Sequence, residues 1–213
     1  MQKSIIEKHY KMPLGIIKCG LNSQKDIKLV ETKSYRNGKS EMFKTSEHKI
    51  EIIEFKIPLP LYNGEMITDS LAWIFRIEKI SAINELLETY CLLDIISNNI
   101  KFDVTTGQNL NAIEASNNEW ILHIGTEDGE MLNLRAQDNN WFPQRLESNL
   151  ELYQKMTETR KNGFMTKIPD LQEGEKIHIQ YLTAYDKKEI DNVNTWLAVD
   201  EEKRNLEKWI GLE

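Results

Sequence analysis

The chain has 213 residues, 40% hydrophobic and 29% charged, with a formal net charge of −7. That is enough apolar residue in enough length to bury a core, which excludes a disordered chain. No apolar run reaches the roughly 18 residues of a membrane span, and the start, MQKSIIEKHYKMPLG, lacks the apolar core and small-residue cleavage site of a secretory leader. Cys19 and Cys91 are the only cysteines. Two thiols so far apart do not build a disulfide framework, so the expected compartment is the reducing cytoplasm.

The charge is uneven. Residues 1–49 hold 11 Lys+Arg against 5 Asp+Glu (+6), and residues 50–213 hold 16 against 29 (−13). An acidic body disfavours nucleic acid, whose binding demands a basic footprint, and it suits a basic protein partner. The lysines of the N-terminal stretch are spread at intervals, as on a solvated face.

In chain order, Ile16-Ile17 and Ile27 to Val30 read as short strands, with Asn37-Gly38 as a turn. Lys49 to Ile57 is a strand rich in β-branched residues, ended by Pro58 and Pro60. Residues 58–70 form a weak internal boundary, and Leu71 to Glu78 is the next strand. Ser81 is expected to cap a helix with Ile83, Leu86, Leu87 and Tyr90 on one side, running to about Ser97; a strand over 91–97 is the alternative. Ile100 to Thr105 reads as a strand, and residues 107–118 as a loop or a loop holding a weak strand.

The strongest local signal is Glu119 to Trp141. Trp120, Leu122 and Ile124 alternate on one side of Asp128-Gly129, and Leu132, Leu134 and Ala136 on the other. The pattern predicts a β-hairpin. A three-residue loop, Glu127-Asp128-Gly129, pairs Ile124 with Leu132, Leu122 with Leu134 and Trp120 with Ala136, keeping apolar residues on one face. Gly129 then takes positive φ, and the hairpin's free edge offers a route to homo-oligomers. A helix follows from Pro143 to about Gly163, with Phe142, Leu146, Leu150, Tyr153 and Met156 as its apolar stripe. Glu175 to Ala184 and Val193 to Val199 read as strands. Asp200 caps a last helix that turns Leu206, Trp209 and Ile210 inward. The expected fold class is α+β, one domain over residues 1–213 with an antiparallel or mixed sheet and two to three packed helices.

Chemistry is sparse in the pattern. The four histidines, His9, His48, His123 and His178, form no HExxH, and there is no CxxC, GxGxxG, GxxxxGK or GxSxG. No catalytic residue, metal ligand or cofactor is assigned. If Glu175 to Ala184 and Val193 to Val199 neighbour the hairpin, His123, Asn133, Arg135, His178, Gln180 and Trp196 share its outer face. His and Arg there would bind a partner's acids and Trp196 would anchor it. A solvated face, or one covered by a helix, is the plainer alternative. A second candidate is the acidic loop tip of Glu127, Asp128 and Glu130, whose plain alternative is a solubilising turn.

The leading functional expectation is a non-catalytic, bacterial-type cytoplasmic protein that binds another protein: an acidic inhibitor, such as the immunity protein of a basic toxin. Two alternatives remain open. One is a motif-poor hydrolase using His123 or His178 with a nearby carboxylate. The other is a small-ligand module with an enclosed apolar cavity.

Overall fold

In the computed structural model, residues 4–35, 37–61, 63–96, 99–107, 110–189 and 193–212 are described. The chain is mostly β, with 52% in strands and 16% in helices, and this replaces the expected α+β class. One sheet has five strands in the order β1 (Ser4–Met12), β2 (Gly15–Ser23), β7 (Leu87–Ile95), β12 (Gly163–Lys167) and β11 (Thr157–Arg160). The other has eight, in the order β3 (Lys28–Tyr35), β4 (Gly38–Lys44), β5 (His48–Phe55), β6 (Asp69–Lys79), β13 (Lys176–Lys187), β10 (Trp120–Glu127), β9 (Leu110–Ser116) and β8 (Lys101–Thr106). Every pairing among the described residues is antiparallel. The helices are short: α1 (Gly129–Gln137), α2 (Leu150–Met156), α3 (Asn194–Leu197) and α4 (Lys203–Ile210), with a 3-10 turn at Gln144–Leu146. No helix among the described residues is long and apolar enough to cross a membrane.

The strands read from β-branched runs are present. Lys49 to Ile57 becomes β5, Leu71 to Glu78 becomes β6, Ile100 to Thr105 becomes β8 and Glu175 to Ala184 becomes β13. β5 and β6, on either side of the 58–70 stretch, pair with each other in one sheet. The weak strand within 107–118 is β9.

The hairpin after Asp128 does not form. The Asp128 carboxylate accepts hydrogen bonds from the backbone N–H of Glu130 and Met131 and caps α1, with Glu130 in the first turn. Leu132 and Ala136, four apart, turn into the core, while Leu134 is 46% exposed. Ile124 lies opposite Ile113 and Thr183 instead of Leu132, and Gly129 is not among the positive-φ glycines. The partners of β10 are β9 and β13, so it offers no free edge to a second copy.

Three helix–strand assignments also change. The stretch expected to be a helix from Ser81 is irregular to Leu86 and then becomes β7; Ile83 and Leu86 are exposed, and the helix end near Ser97 lies outside the described residues. Pairing with β2 and β12 on both edges outweighs helical spacing, with Cys91 opposite Cys19 and Phe164. The helix from Pro143 shrinks to the 3-10 turn and α2, because Thr157 onward folds back as the hairpin β11–β12. Of its stripe, Phe142, Leu146, Tyr153 and Met156 are buried and Leu150 is 71% exposed. Val193 to Val199 is not a strand: α3 takes up Asn194–Leu197, and Thr195 within it is fully buried, as are Ala198 and Val199 just past its end. The last helix starts at Lys203 with Glu202 as N-cap in place of Asp200, and it buries Leu206 and Ile210, with Trp209 half-buried.

The central strands of the eight-stranded sheet are covered on both faces, while the edge strands β3 and β8 are largely exposed. Trp73, Phe75, Leu122, Ile124, Ile179 and Tyr181 face the small sheet, α1, α2 and the 3-10 turn in one apolar core. The Tyr181 hydroxyl bridges the two sheets by hydrogen bonds to Thr166 (2.7 Å) and Thr89 (2.9 Å). The opposite face, with Ile53, Ile74, Leu182 and Ala184, packs under Ala198, Val199, Leu206 and Ile210 of the C-terminal helices.

Candidate functional site

The period of two along β10 and β13 puts His123, Glu127, His178 and Gln180 on the face away from the sheet sandwich. That face is not open to solvent, because α3 and α4 lie on it. His123 Nδ1 meets the Thr195 hydroxyl of α3 at 2.9 Å, and Glu114 stands 3.9 Å from Nε2. Burial pushes His123 down to about 4, so its ring is neutral at physiological pH. His178 is fully buried; burial, with the Arg135 guanidinium nearby, holds it well below its ordinary value. Its Nε2 meets Gln180 Oε1 at 3.0 Å, while Nδ1 has no hydrogen-bond partner among the described residues. Trp196 is half-buried on α3 and packs over Gly107, next to β8 and β9. Asn133 is bound internally, accepting from the Ser148 N–H at 2.7 Å.

Arg135 is buried on α1, 4% exposed. It forms an ion pair with Glu127, and it donates to the backbone oxygens of Asn140 (3.2 Å), Trp141 (2.8 Å) and His178 (3.0 Å). Beside it, Lys203 donates to Asn140 Oδ1 (2.9 Å) and Glu207 (2.7 Å), while Arg76 pairs with Glu207 and stacks on Trp141 with its guanidinium carbon 4.9 Å from the ring centre. These cations are therefore occupied. They tie α1 and α4 to the sheet.

The acidic tip fares differently. Glu130 is exposed and Asp128 half-exposed, and they line an open cleft of about 650 Å³ together with Glu127. A second, small cleft of about 130 Å³ shares Glu127 and is otherwise lined by Leu110, Met131, Gln180, Asp200, Glu201 and Glu202. The segment between α3 and α4 thus brings three acids next to the three at the end of β10. Gln180 fixes that segment by donating to the Glu201 backbone oxygen at 2.7 Å. Burial, with repulsion from Glu202, raises Asp200, and burial with Asp200 and Glu202 raises Glu201. Burial raises Glu127 too, outweighing the attraction of Arg135 and Lys203. The two clefts share Glu127, which is paired with Arg135, and the other five carboxylates around them form no ion pair among the described residues.

Sequence reasoning took Asp200 to Glu202 only as a helix start. The run of three acids was the available signal; its proximity to Glu127 was not, since the residues are some seventy positions apart. It also missed His48 and Glu85, a buried pair at 2.9 Å in which Glu85 further accepts from Ser23 and Thr45. Burial alone would raise Glu85; the hydrogen bonds from His48, Ser23 and Thr45 outweigh it and hold the carboxyl below its usual range. This pair pins the 81–86 segment between the two sheets. Among the described residues no group of three or more His, Cys, Asp and Glu is arranged to hold a metal ion.

Compared with protein-family models, with curated proteins and with solved structures, the chain matches none.

Proposed function

We propose that the protein is a binding protein for a basic protein partner, of the kind that neutralises a toxin in the cytoplasm, and that the acidic end built by Glu127, Asp128, Glu130, Asp200, Glu201 and Glu202 is its working surface. The observation that carries this reading is the convergence of these acids from two distant segments around two adjoining clefts. Like charges held together are unfavourable for the free protein and become favourable when a cationic surface covers them. The hydrolase alternative wants a histidine and an acid at a cleft. None of the five clefts described is lined by histidine, and His123 meets its nearest described acid only at 3.9 Å.

The test is affinity capture from the source cell at low and high salt, using the full chain and a charge-reversed form (E130K, D200K, E202K). Support is a basic protein held by the native chain, lost at high salt and with the reversed form, whose toxicity on expression is suppressed by this chain. Capture insensitive to both salt and charge reversal, or no effect on the captured protein's activity, overturns the reading.

A further inference from the structure

We propose that Cys19 and Cys91 are a two-thiol oxidation site, which hydrogen peroxide closes to an intramolecular disulfide that staples β2 to β7. The inference does not depend on the function proposed above. The two are the chain's only cysteines and stand some seventy positions apart, yet they lie directly opposite each other on neighbouring strands. Both thiols are free and fully buried, and both belong to the core between the sheets.

The backbone ladder is a second, independent observation. On the β12 side of β7, the Leu93 N–H donates to the Asn162 carbonyl (2.8 Å) and the Ile168 N–H to the Leu87 carbonyl (2.9 Å). Hydrogen-bonded pairs alternate along an antiparallel ladder, so in this register Cys91 and Phe164 form one. A strand residue points its N–H and C=O to the same side. Cys91 therefore turns both toward β12 and neither toward β2, and the Cys19–Cys91 pair is non-hydrogen-bonded. In such pairs the α-carbons approach to about 4.5 Å and the side chains lie closest. A disulfide spans α-carbons about 4.4–6.8 Å apart, so it closes here without moving either strand. Burial, and then a hydrogen bond to the Cys91 thiol, raise Cys19 well above its ordinary value; that bond puts the two thiols within reach of each other.

The chemistry balances with one peroxide. One thiolate attacks hydrogen peroxide: the S–O bond forms, the O–O bond breaks, and the departing hydroxide takes the thiol's proton as water. The second sulfur then attacks the sulfenic sulfur. The S–S bond forms, the S–O bond breaks, and the second hydroxide leaves as water with the second thiol's proton. Two electrons pass from the thiols to the peroxide. A glutathione mixed disulfide, by contrast, would have to be housed in a close-packed core beside fully buried Ile17, Leu21 and Phe164. Peroxide enters through local opening of the β1–β2 hairpin, whose outer strand has a neighbour on one side only. The disulfide ties that hairpin to β7, so oxidation suppresses the opening that admits the oxidant.

The experiment treats the full native chain with hydrogen peroxide in metal-free buffer, and in parallel with oxidised glutathione. Intact mass, tryptic peptides and hydrogen exchange are read. The expected result is a loss of about 2 Da and a cross-linked peptide joining residues 19–25 to residues 80–101, released by dithiothreitol. Exchange of the β1 and β2 amides slows by at least about tenfold, and Tm rises by about 5–15 °C because the bond closes a long loop. C19A and C91A, checked for native circular dichroism, show neither the mass loss nor the slowed exchange. The cross-link is read on the native chain and stands whether or not these variants fold. Disulfide-linked dimers, oxygen added to single cysteines without a cross-link, or a cross-link that forms only in urea overturn the site. A cross-link that leaves exchange in β1 and β2 unchanged overturns the staple. Oxidised glutathione closing the pair as fast as peroxide overturns the choice of oxidant.

Discussion

The sharpest test of the polar layer under the C-terminal helices is Arg135→Met. Methionine keeps most of the stem and removes the guanidinium. The change strands the Glu127 carboxylate, which is 5% exposed, and takes the donor from the backbone oxygens of Asn140, Trp141 and His178. Breaking a buried ion pair from one side costs about 3–5 kcal/mol, because the remaining charge has lost its compensation. The clefts on either side of Glu127 let water reach part of the gap, so we place the loss at about 4 kcal/mol. For a chain of this size that lowers Tm by about 8–16 °C. Glu127→Met alone strands Arg135 in turn. The double variant R135M/E127M strands neither charge and recovers at least about 2 kcal/mol relative to the sum of the singles, though the Asn140 and His178 carbonyls lose the Arg135 donor while Trp141 still accepts from the His178 N–H. Urea unfolding, followed by circular dichroism and tryptophan fluorescence to check for a single transition, measures all four corners of the cycle. A loss below about 1 kcal/mol for R135M, or a double variant that costs the full sum, refutes the reasoning.

Acid should destabilise the fold through His123. Its folded pKa, about 4, lies below the unfolded value of 6.5, so the unfolded chain alone takes up a proton between them. Stability is intact above pH 6.5 and falls by about 3 kcal/mol as pH drops to 4; in H123Q that portion of the pH dependence of Tm flattens. Glu85 acts lower on the scale. Its carboxyl is held below its ordinary value of 4.5, so its contribution is present above that pH and is lost as pH falls through the folded value; E85Q makes the acid limb below 4.5 shallower and raises hydrogen exchange in residues 81–86. At Gly163 the backbone has φ of +151° and an added Cβ would stand 2.0 Å from the Cys91 carbonyl oxygen. G163A should cost more than about 2 kcal/mol in urea unfolding, and a smaller loss would show that the β7–β12 contact gives way easily.

How far the sequence could be read depended on where the deciding information lay. β5, β6 and β13 have β-branched, alternating runs bounded by proline or charge, and local pattern was enough. Asp128-Gly129 was not decidable locally. The same dipeptide turns a hairpin or starts a helix, and Leu132, Leu134 and Ala136 satisfy a period of two as well as Leu132 and Ala136 satisfy a period near four. What settles it is distant in sequence: β9 and β13 occupy both edges of β10, so no hairpin partner fits there. The same holds for β7, whose apolar run suits a helix until β2 and β12 are in place. Of the candidate binding residues, Glu127, Asp128 and Glu130 fall at the end of β10 and the start of α1, with Glu127 buried against Arg135 and Glu130 exposed. Alternation left His123 and His178 open to a solvated or a helix-covered face, and α3 and α4 cover them; Arg135 and Trp196 lie on α1 and α3 because the hairpin and the strand expected there do not form.

That covering is what gives the acidic end its character. Central strands buried on both faces should be apolar throughout, yet β6, β10 and β13 place Arg76, His123, Glu127, His178 and Gln180 under the helices. Partners for them come from α1, α3 and α4, through Arg135, Thr195 and Glu207, the last held by Lys203, so the helices are held in one orientation by directional bonds as well as by apolar packing. The Asp200–Glu202 segment is thereby fixed against the sheet, and its charges are ordered before any partner arrives, which lowers the entropy lost on association. Under the proposed function, exposed Glu130, Asp200 and Glu202 would act through a field reaching about 8–10 Å, so neutralising them should slow association with the partner and flatten its salt dependence. Glu127, buried and paired with Arg135, adds little to that field, so E127Q should leave the association rate nearly unchanged. Stopped-flow binding of the captured partner at several ionic strengths checks both expectations, and an E127Q variant that slows association as much as E130K does would refute them.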